Sequence, residues 1–308
     1  MAYAKIIDID DPGYFRLKSI DQSQLKQFLK NPADWAYHRL NDDHKPTDAM
    51  KFGTAFHAYL LGTSDVVSLP EGESFRSKDN QKWRADQLEA GNIIVSYNDM
   101  QLLKRMKEGI EQTSLMPEYP DYMEIIEQGT KEQCIEWKDR QTGLMLKAKP
   151  DLIPAGTDYL VDLKTAQKAD AESFAKEVIN YGYHIQTVFY RAAVAACKPD
   201  AFDRGSKAPS TMQFWVFEKT DACDWQPFSI SDDNPITNLA ATSIRQALLH
   251  RLMVKKAKEE GYAENTPDPV DAAAKYALRH GFNKKVKEVS FQNWQLLTAE
   301  NMLCDLAS

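Results

Sequence analysis

Apolar positions recur along the chain at two different spacings. Over residues 23–40, Leu25, Phe28 and Leu29 fall at helical spacing. The Asn31-Pro32 pair then interrupts the stripe before Trp35, Tyr37 and Leu40. The pattern predicts helix with a break at that pair. A second helix is predicted over 49–61, closed by Gly62 as a C-cap. Residues 64–98 are mixed and polar, with turns at Pro70, Gly72 and Gly91. Helical spacing returns over 99–111, through Met100, Leu103 and Met106.

From residue 133 the period shortens to two. Residues 133–137 predict a strand and 139–143 a turn. Over 144–150, Leu144, Leu146 and Ala148 alternate with Met145, Lys147 and Lys149. A turn over 154–158 leads into a strand over 159–165, so 133–165 predicts a three-stranded antiparallel meander. Helices are predicted over 171–179 and 184–197, and a strand over 211–219. A long helix over 235–260 is entered through Asp232, Asp233 and Asn234, and a short one follows over 270–280. This order predicts a single α/β domain spanning 1–308, with a central mixed β-sheet flanked by helices. Its core is expected over about 19–220, with a C-terminal helical extension over about 235–308.

Composition narrows the class. The 308 residues are 43% hydrophobic and 27% charged, ordinary for a globular chain. No apolar run approaches the roughly 18–20 residues that span a bilayer. Residues 1–11 show no basic stretch leading into an apolar one, so the expected location is cytoplasmic, without a membrane partner. Cys134, Cys197, Cys223 and Cys304 are far apart and form no CxxC pair, so reduced thiols are expected and no Fe–S cluster. No GxxxxGK[ST] string occurs, so ATP is not expected as a cofactor. Lys+Arg number 38 and Asp+Glu 45, a formal charge of −7, which taken alone argues against a nucleic-acid partner.

The chemistry-bearing residues argue the other way. Asp151 and Asp162 are equidistant from a turn centred between Gly156 and Thr157, so a simple hairpin places them opposite each other. Lys164, two residues on, shares the face of Asp162. Two adjacent carboxylates repel unless a cation lies between them, and oxygen ligands suit Mg²⁺ or Mn²⁺. A lysine beside them can position or deprotonate water and stabilise charge on a phosphate. That combination performs metal-assisted phosphodiester hydrolysis. The competing reading is a surface hairpin with an Asp–Lys pair. Leu160, Val161 and Leu163 read as a buried strand, where idle charges do not sit. Glu132 is expected opposite Pro150 if the first hairpin centres near Gln141, as a further metal or water-positioning carboxylate. Glu124, Glu127 and Glu136 compete with it for that role.

The string Pro150-Asp151…Asp162-Leu163-Lys164 resembles the PD-(D/E)xK nuclease signature. Phe52-Gly53-Thr54-Ala55-Phe56-His57 is similar to the GxxxH helix of the RecB-like branch of that superfamily. Gln186-Thr187-Val188-Phe189-Tyr190 is similar to its QxxxY helix, and Ser23 to Phe28 with Asn31-Pro32 resembles its opening helix. The resemblance covers about residues 19–220 and is nearest in look to RecE-type (exonuclease VIII-like) exonucleases. It implies a restriction-endonuclease-like core and a Mg²⁺-dependent exodeoxyribonuclease acting on double-stranded DNA ends, 5′→3′. It also implies a ring-shaped tetramer and a single-strand annealing protein as partner in recombination. For the site it implies Asp151, Asp162, Lys164, Gln186 and Tyr190 as catalytic residues. The implied metal ligands are His57, Asp151, Asp162, Glu132 and the backbone carbonyl of Leu163. Gly53 and His57 share a helix face, as do Gln186 and Tyr190. Branch members with an Fe–S cluster carry one early and three late cysteines, a pattern this chain lacks.

Arg76, Lys78, Lys82 and Arg84, with Trp83 among them, are the candidate DNA-phosphate contacts away from the metal. A solvated charged face is the competing reading. The later run Arg245, Arg251, Lys255, Lys256 and Lys258 is a weaker candidate of the same kind. Two alternatives remain: an endonuclease of the same fold, and a nuclease-like fold that only binds DNA.

Overall fold

Two hairpins and one crossover account for most of the architecture. The computed structural model describes residues 4–41, 46–197, 209–248 and 250–281. The elements run β1 (Ala4–Ile7), α1 (Asp11–Arg16), α2 (Gln22–Lys30), α3 (Pro32–Asn41), α4 (Asp48–Leu61), β2 (Val66–Ser68), α5 (Lys78–Glu89), β3 (Ile93–Val95), α6 (Tyr97–Ser114) and α7 (Tyr122–Gln128). There follow β4 (Thr130–Lys131), β5 (Cys134–Lys138), β6 (Met145–Ala148), β7 (Leu152–Ile153), β8 (Tyr159–Ala166), α8 (Ala171–Asn180) and α9 (Tyr183–Ala196). The chain continues through β9 (Thr211–Glu218), β10 (Trp225–Ser231), α10 (Pro235–Leu248), α11 (His250–Glu259) and α12 (Pro269–His280). Cys304 and the part of the expected extension over 282–308 lie outside the described residues.

The expected break at Asn31-Pro32 is present. Asn31 ends α2, and its side chain accepts from the backbone N–H groups of Ala33 and Asp34 at the start of α3. Gly62 closes α4 in the left-handed conformation, φ 68°, where a side chain is disfavoured.

The expected three-stranded meander is corrected to a bent ribbon shared by two sheets. β5 pairs with β6 (Ile135 opposite Ala148), and β4 pairs with β7 (Lys131 opposite Leu152). The register is the same in both ladders, so the chain changes sheets at Glu132 on one side and at Pro150-Asp151 on the other. β1-β5-β6 form an antiparallel sheet, and β10-β9-β8-β7-β4 form a mixed one in which only β8 and β9 run parallel. The crossover between those two strands contains α8 and α9.

Each face of the mixed sheet carries its own core. Leu160, Phe214 and Val216 point toward α2, α9 and α10, among Leu25, Phe189 and Ala240. Val161, Leu163, Trp215 and Phe217 point toward α4, α6 and α7, among Phe56, Leu103 and Ile126. This alternation places Asp162 and Lys164 on the α9 side of β8 and leaves the backbone of Leu163 facing α4.

The alternation of β6 misplaces Lys147, which it assigns to a polar face. The residue is 1% exposed. Its Nζ donates to the backbone carbonyls of Tyr14 and Leu17, each at 2.9 Å, and lies 4.5 Å from the Tyr14 ring centre. The end of α1 covers the face that the pattern leaves to solvent.

Candidate active site

Asp151 opens β7 where the ribbon bends. The β7–β8 register sets Leu152 opposite Val161, and so brings Asp151 across from Asp162 as the turn arithmetic expects. The Asp151 carboxylate accepts a 2.8 Å bond from the backbone N–H of Leu163 through Oδ2. Its Oδ1 faces His57 Nδ1 at 3.6 Å. His57 projects from α4, and its Nε2 meets the Leu163 carbonyl oxygen at 3.0 Å. The contacts of His57 with the Leu163 carbonyl and the Asp151 carboxylate tie α4 to the β7–β8 hairpin.

Asp162 is 1% exposed and fully engaged. Lys164 Nζ bonds to Oδ2, and Gln186 Nε2 donates to Oδ1. The hydroxyl of the buried Tyr190, on the same helix, is within the electrostatic reach of Gln186. The QxxxY helix face therefore orients Asp162 through Gln186, with Tyr190 one turn further on. The Lys164 ammonium is covered by the Tyr183 ring, 4.8 Å from its centre.

Electrostatics follow from this crowding. Burial pushes the Asp151 carboxyl up to about 6; the nearby His57 opposes the shift, and the like charge of Asp162 adds to it. Burial, then Asp162 and Asp151, drive the Tyr190 hydroxyl far above its ordinary range, so it stays a hydrogen-bond donor. Lys26, on α2, was not singled out by the sequence. Burial and then the charge of Lys164 lower its ammonium to about 8. Tyr183 was also missed, although it shares the face of Gln186 and Tyr190 at positions i, i+3 and i+7. Nothing in the spacing of α2 marks Lys26.

Glu132 departs from its expected place. It stands opposite Asp151 rather than Pro150, donating its N–H to the Asp151 carbonyl at 2.9 Å. The hairpin centre lies half a residue beyond Gln141, because Lys138 pairs with Met145. The Glu132 carboxylate lies 3.5 Å from Lys149 Nζ. Glu132 also adopts φ 46°, a left-handed backbone that non-glycine residues rarely take. Glu136 bonds Ser19, which precedes the Ile20 bridge to β6, and pairs with Lys5 on β1.

Among the described residues, no three His, Cys, Asp or Glu side chains close into a ready-made ligand cluster. The donors that do meet are two carboxylates, the Leu163 carbonyl and the His57 imidazole. This oxygen-rich set fits a hard divalent cation. Burial and the Asp162 charge both oppose ionisation of Asp151, and a cation relieves that condition.

Arg76, Lys78, Lys82 and Arg84 are all exposed. Arg76 precedes α5 and the other three lie on it, a helix packed against β3. Arg84 lies over Phe75 at 5.1 Å, and Phe75 stacks with Trp83. No described helix is long and apolar enough to cross a membrane. Cys134, Cys197 and Cys223 are free thiols.

Residues 21–266 match the family model described as a PDDEXK-like domain of unknown function (DUF3799). None of the curated proteins compared with the chain matches it. Among solved structures, the chain is similar to a candidate exonuclease from Eubacterium rectale, at 15% identity and TM-score 0.50. That match covers 94% of this chain and 98% of that one. It shows a shared fold. An alkaline exonuclease from Laribacter hongkongensis matches at 14% identity over 69% of this chain and 98% of that one. Its TM-score of 0.28 is too low to bear on the argument.

Proposed function

The chain belongs to the PDDEXK-like DUF3799 family, and from that premise we propose that it is a metal-dependent exodeoxyribonuclease acting on the ends of double-stranded DNA. The observation that carries the reading is Asp162. It is held on one side by Lys164 and on the other by Gln186, with Asp151 facing it from the next strand.

Asp151, Asp162, the Leu163 carbonyl and His57 are the residues that would hold Mg²⁺ or Mn²⁺. A divalent cation supplies Lewis-acid chemistry, making water a stronger nucleophile at neutral pH and offsetting charge on the leaving oxygen. Lys164 sets its Nζ beside Asp162, positioned to orient the attacking water or to offset charge on the phosphate. Gln186 fixes the rotamer of Asp162, and Tyr190 follows one turn on along the same helix face. His57 and the Leu163 N–H hold Asp151 in place. Glu132 has the weaker case, since its carboxylate lies beside Lys149.

The finer features rest on the resemblance to RecE-type enzymes: 5′→3′ polarity, 3′ single-stranded products for recombination by strand annealing, a ring-shaped tetramer and an annealing partner. The basic residues of α5, with Arg76, are the proposed duplex contacts.

The test is digestion of linear and covalently closed duplex with Mg²⁺. One strand of the linear duplex carries a 5′ label and the other a 3′ label. Rapid release of the 5′ label from linear DNA, with the circle intact, is the expected result. Equal degradation of the circle would show an endonuclease. No cleavage of either by the wild-type chain, with Mg²⁺ or Mn²⁺, would overturn the enzyme reading.

A further inference from the structure

The turn between α8 and α9 carries features that the chemistry above does not use. Tyr181 is 59% exposed, and Ile179 beside it is 56% exposed. Single exposed apolar side chains are ordinary, but here two adjoin each other and a further ring, so the exposure forms a patch. The Tyr181 ring centre lies 5.7 Å from that of Tyr183, the ring that covers the Lys164 ammonium. An exposed aromatic surface therefore continues outward from the catalytic lysine.

A cation is held at the same turn. Lys26 crosses from α2 and donates to the Tyr181 carbonyl at 2.9 Å. Its stem runs over Gly182, where a Cβ would come within 2.6 Å of Lys26 Cδ. Gly182 has φ 67°, so glycine serves both the backbone and the close approach. The Lys26 side chain is thus fixed in place. It lies within the fields of Lys164 and Asp162, and no carboxylate lies within ion-pair distance of it among the described residues. One of its three N–H donors is used, and two remain.

We propose that this turn is a nucleotide platform for single-stranded nucleic acid: Tyr181 stacks on a base, and Lys26 contacts the phosphate next to it. The inference rests on the nuclease reading and deepens it, by assigning residues that seat the strand entering the Asp162–Lys164 pair. Aromatic stacking suits a strand of any sequence, because every base offers a π-face, and a fixed ammonium tracks the backbone. The neighbouring acids Asp162, Glu177 and Asp21 face the same region, so the contact is local.

The test is fluorescence anisotropy of a labelled oligothymidylate with the full-length chain in EDTA, where no cleavage occurs. Tyr181→Ala is expected to weaken binding about fivefold or more, and Tyr181→Phe to keep it. Lys26→Met keeps the stem over Gly182 and is expected to flatten the slope of log K against log salt by about 0.7, one phosphate contact. Tyr119→Ala, which removes a tyrosine 51% exposed in the loop after α6, is the control and is expected to bind as wild type. Wild-type affinity in Tyr181→Ala with an unchanged slope in Lys26→Met overturns the platform. So does an equal loss in Tyr119→Ala. If the variants bind as wild type while the wild-type chain still digests linear duplex, the platform alone fails. If the wild-type chain neither binds the strand nor cleaves DNA, both readings fail.

Discussion

Asp151 and Leu163 are joined across the β7–β8 ladder, the carboxylate Oδ2 of one accepting from the backbone N–H of the other at 2.8 Å. The bond leaves Oδ1 turned toward His57, on the side where the Leu163 carbonyl also emerges. An asparagine at 151 can still accept from that N–H through its amide oxygen, but it carries no charge. Asp151→Asn is therefore expected to fold normally in EDTA and to lose Mn²⁺ binding in calorimetry along with DNA cleavage. Wild-type Mn²⁺ affinity in this variant would remove Asp151 from the metal site.

The same carboxyl sets a pH dependence in the metal-free protein. Its folded value of about 6 lies above the ordinary carboxyl value of about 4. Between those values the folded state holds more protons than the unfolded one, so stability falls as pH rises through the window. The expected loss is about 2–3 kcal/mol between pH 4 and pH 7. Urea unfolding in EDTA measures it, with Asp151→Asn as the reference. Parallel wild-type and variant curves across that range would contradict the burial argument.

Lys26 has the opposite sign. Its ammonium falls to about 8, below the ordinary lysine value. Between about pH 8 and 10.5 the unfolded state holds the extra proton, so stability rises with pH there. Lys26→Met should remove that rise and be more stable than wild type at pH 7 by about 1–2 kcal/mol. Equal stability of the two proteins at pH 7 and pH 10 would refute it.

Removing Gln186 tests whether the QxxxY face acts through Asp162. Gln186→Ala leaves the buried Asp162 Oδ1 without its donor, at a cost of about 1–3 kcal/mol. Activity should fall with it, mainly in kcat, if Gln186 acts only by positioning Asp162. Lys164→Ala and Asp162→Ala should each lower cleavage by at least about a hundredfold. Full activity in either would refute the catalytic assignment.

Glu132 separates backbone from side chain. At φ 46°, Glu132→Gly should stabilise the fold by about 1 kcal/mol. Glu132→Gln keeps the backbone and removes only the charge near Lys149. If cleavage survives both, the carboxylate has no part in the chemistry, and a loss in both variants with the fold intact would assign it one.

Much of this was legible because its signals are local. The Asp151–Asp162 pairing follows from a symmetrical turn, and the α2–α3 break from Asn31-Pro32. What was missed lacks such a signal. α5 buries no residue, so no apolar stripe marks it. β10 is an edge strand interrupted by Pro227, with three of its seven residues half-buried, three exposed and only Ile230 buried. Lys147 defeats the period-two rule because α1, far away in sequence, supplies two carbonyls to a buried ammonium. Lys26 reaches the site through the fold alone, from a helix whose sequence says only that one face is apolar.

The bend at Glu132 and Asp151 makes chemistry a matter of phase. The β4/β5 and β6/β7 segments keep one register through the bend, and the 154–158 turn fixes the next ladder. A one-residue slip in that ladder would leave every motif in the sequence intact, yet it would turn Asp151 and Asp162 to opposite faces. The register set at a surface turn thus governs whether the signature is a working site or only a string of letters.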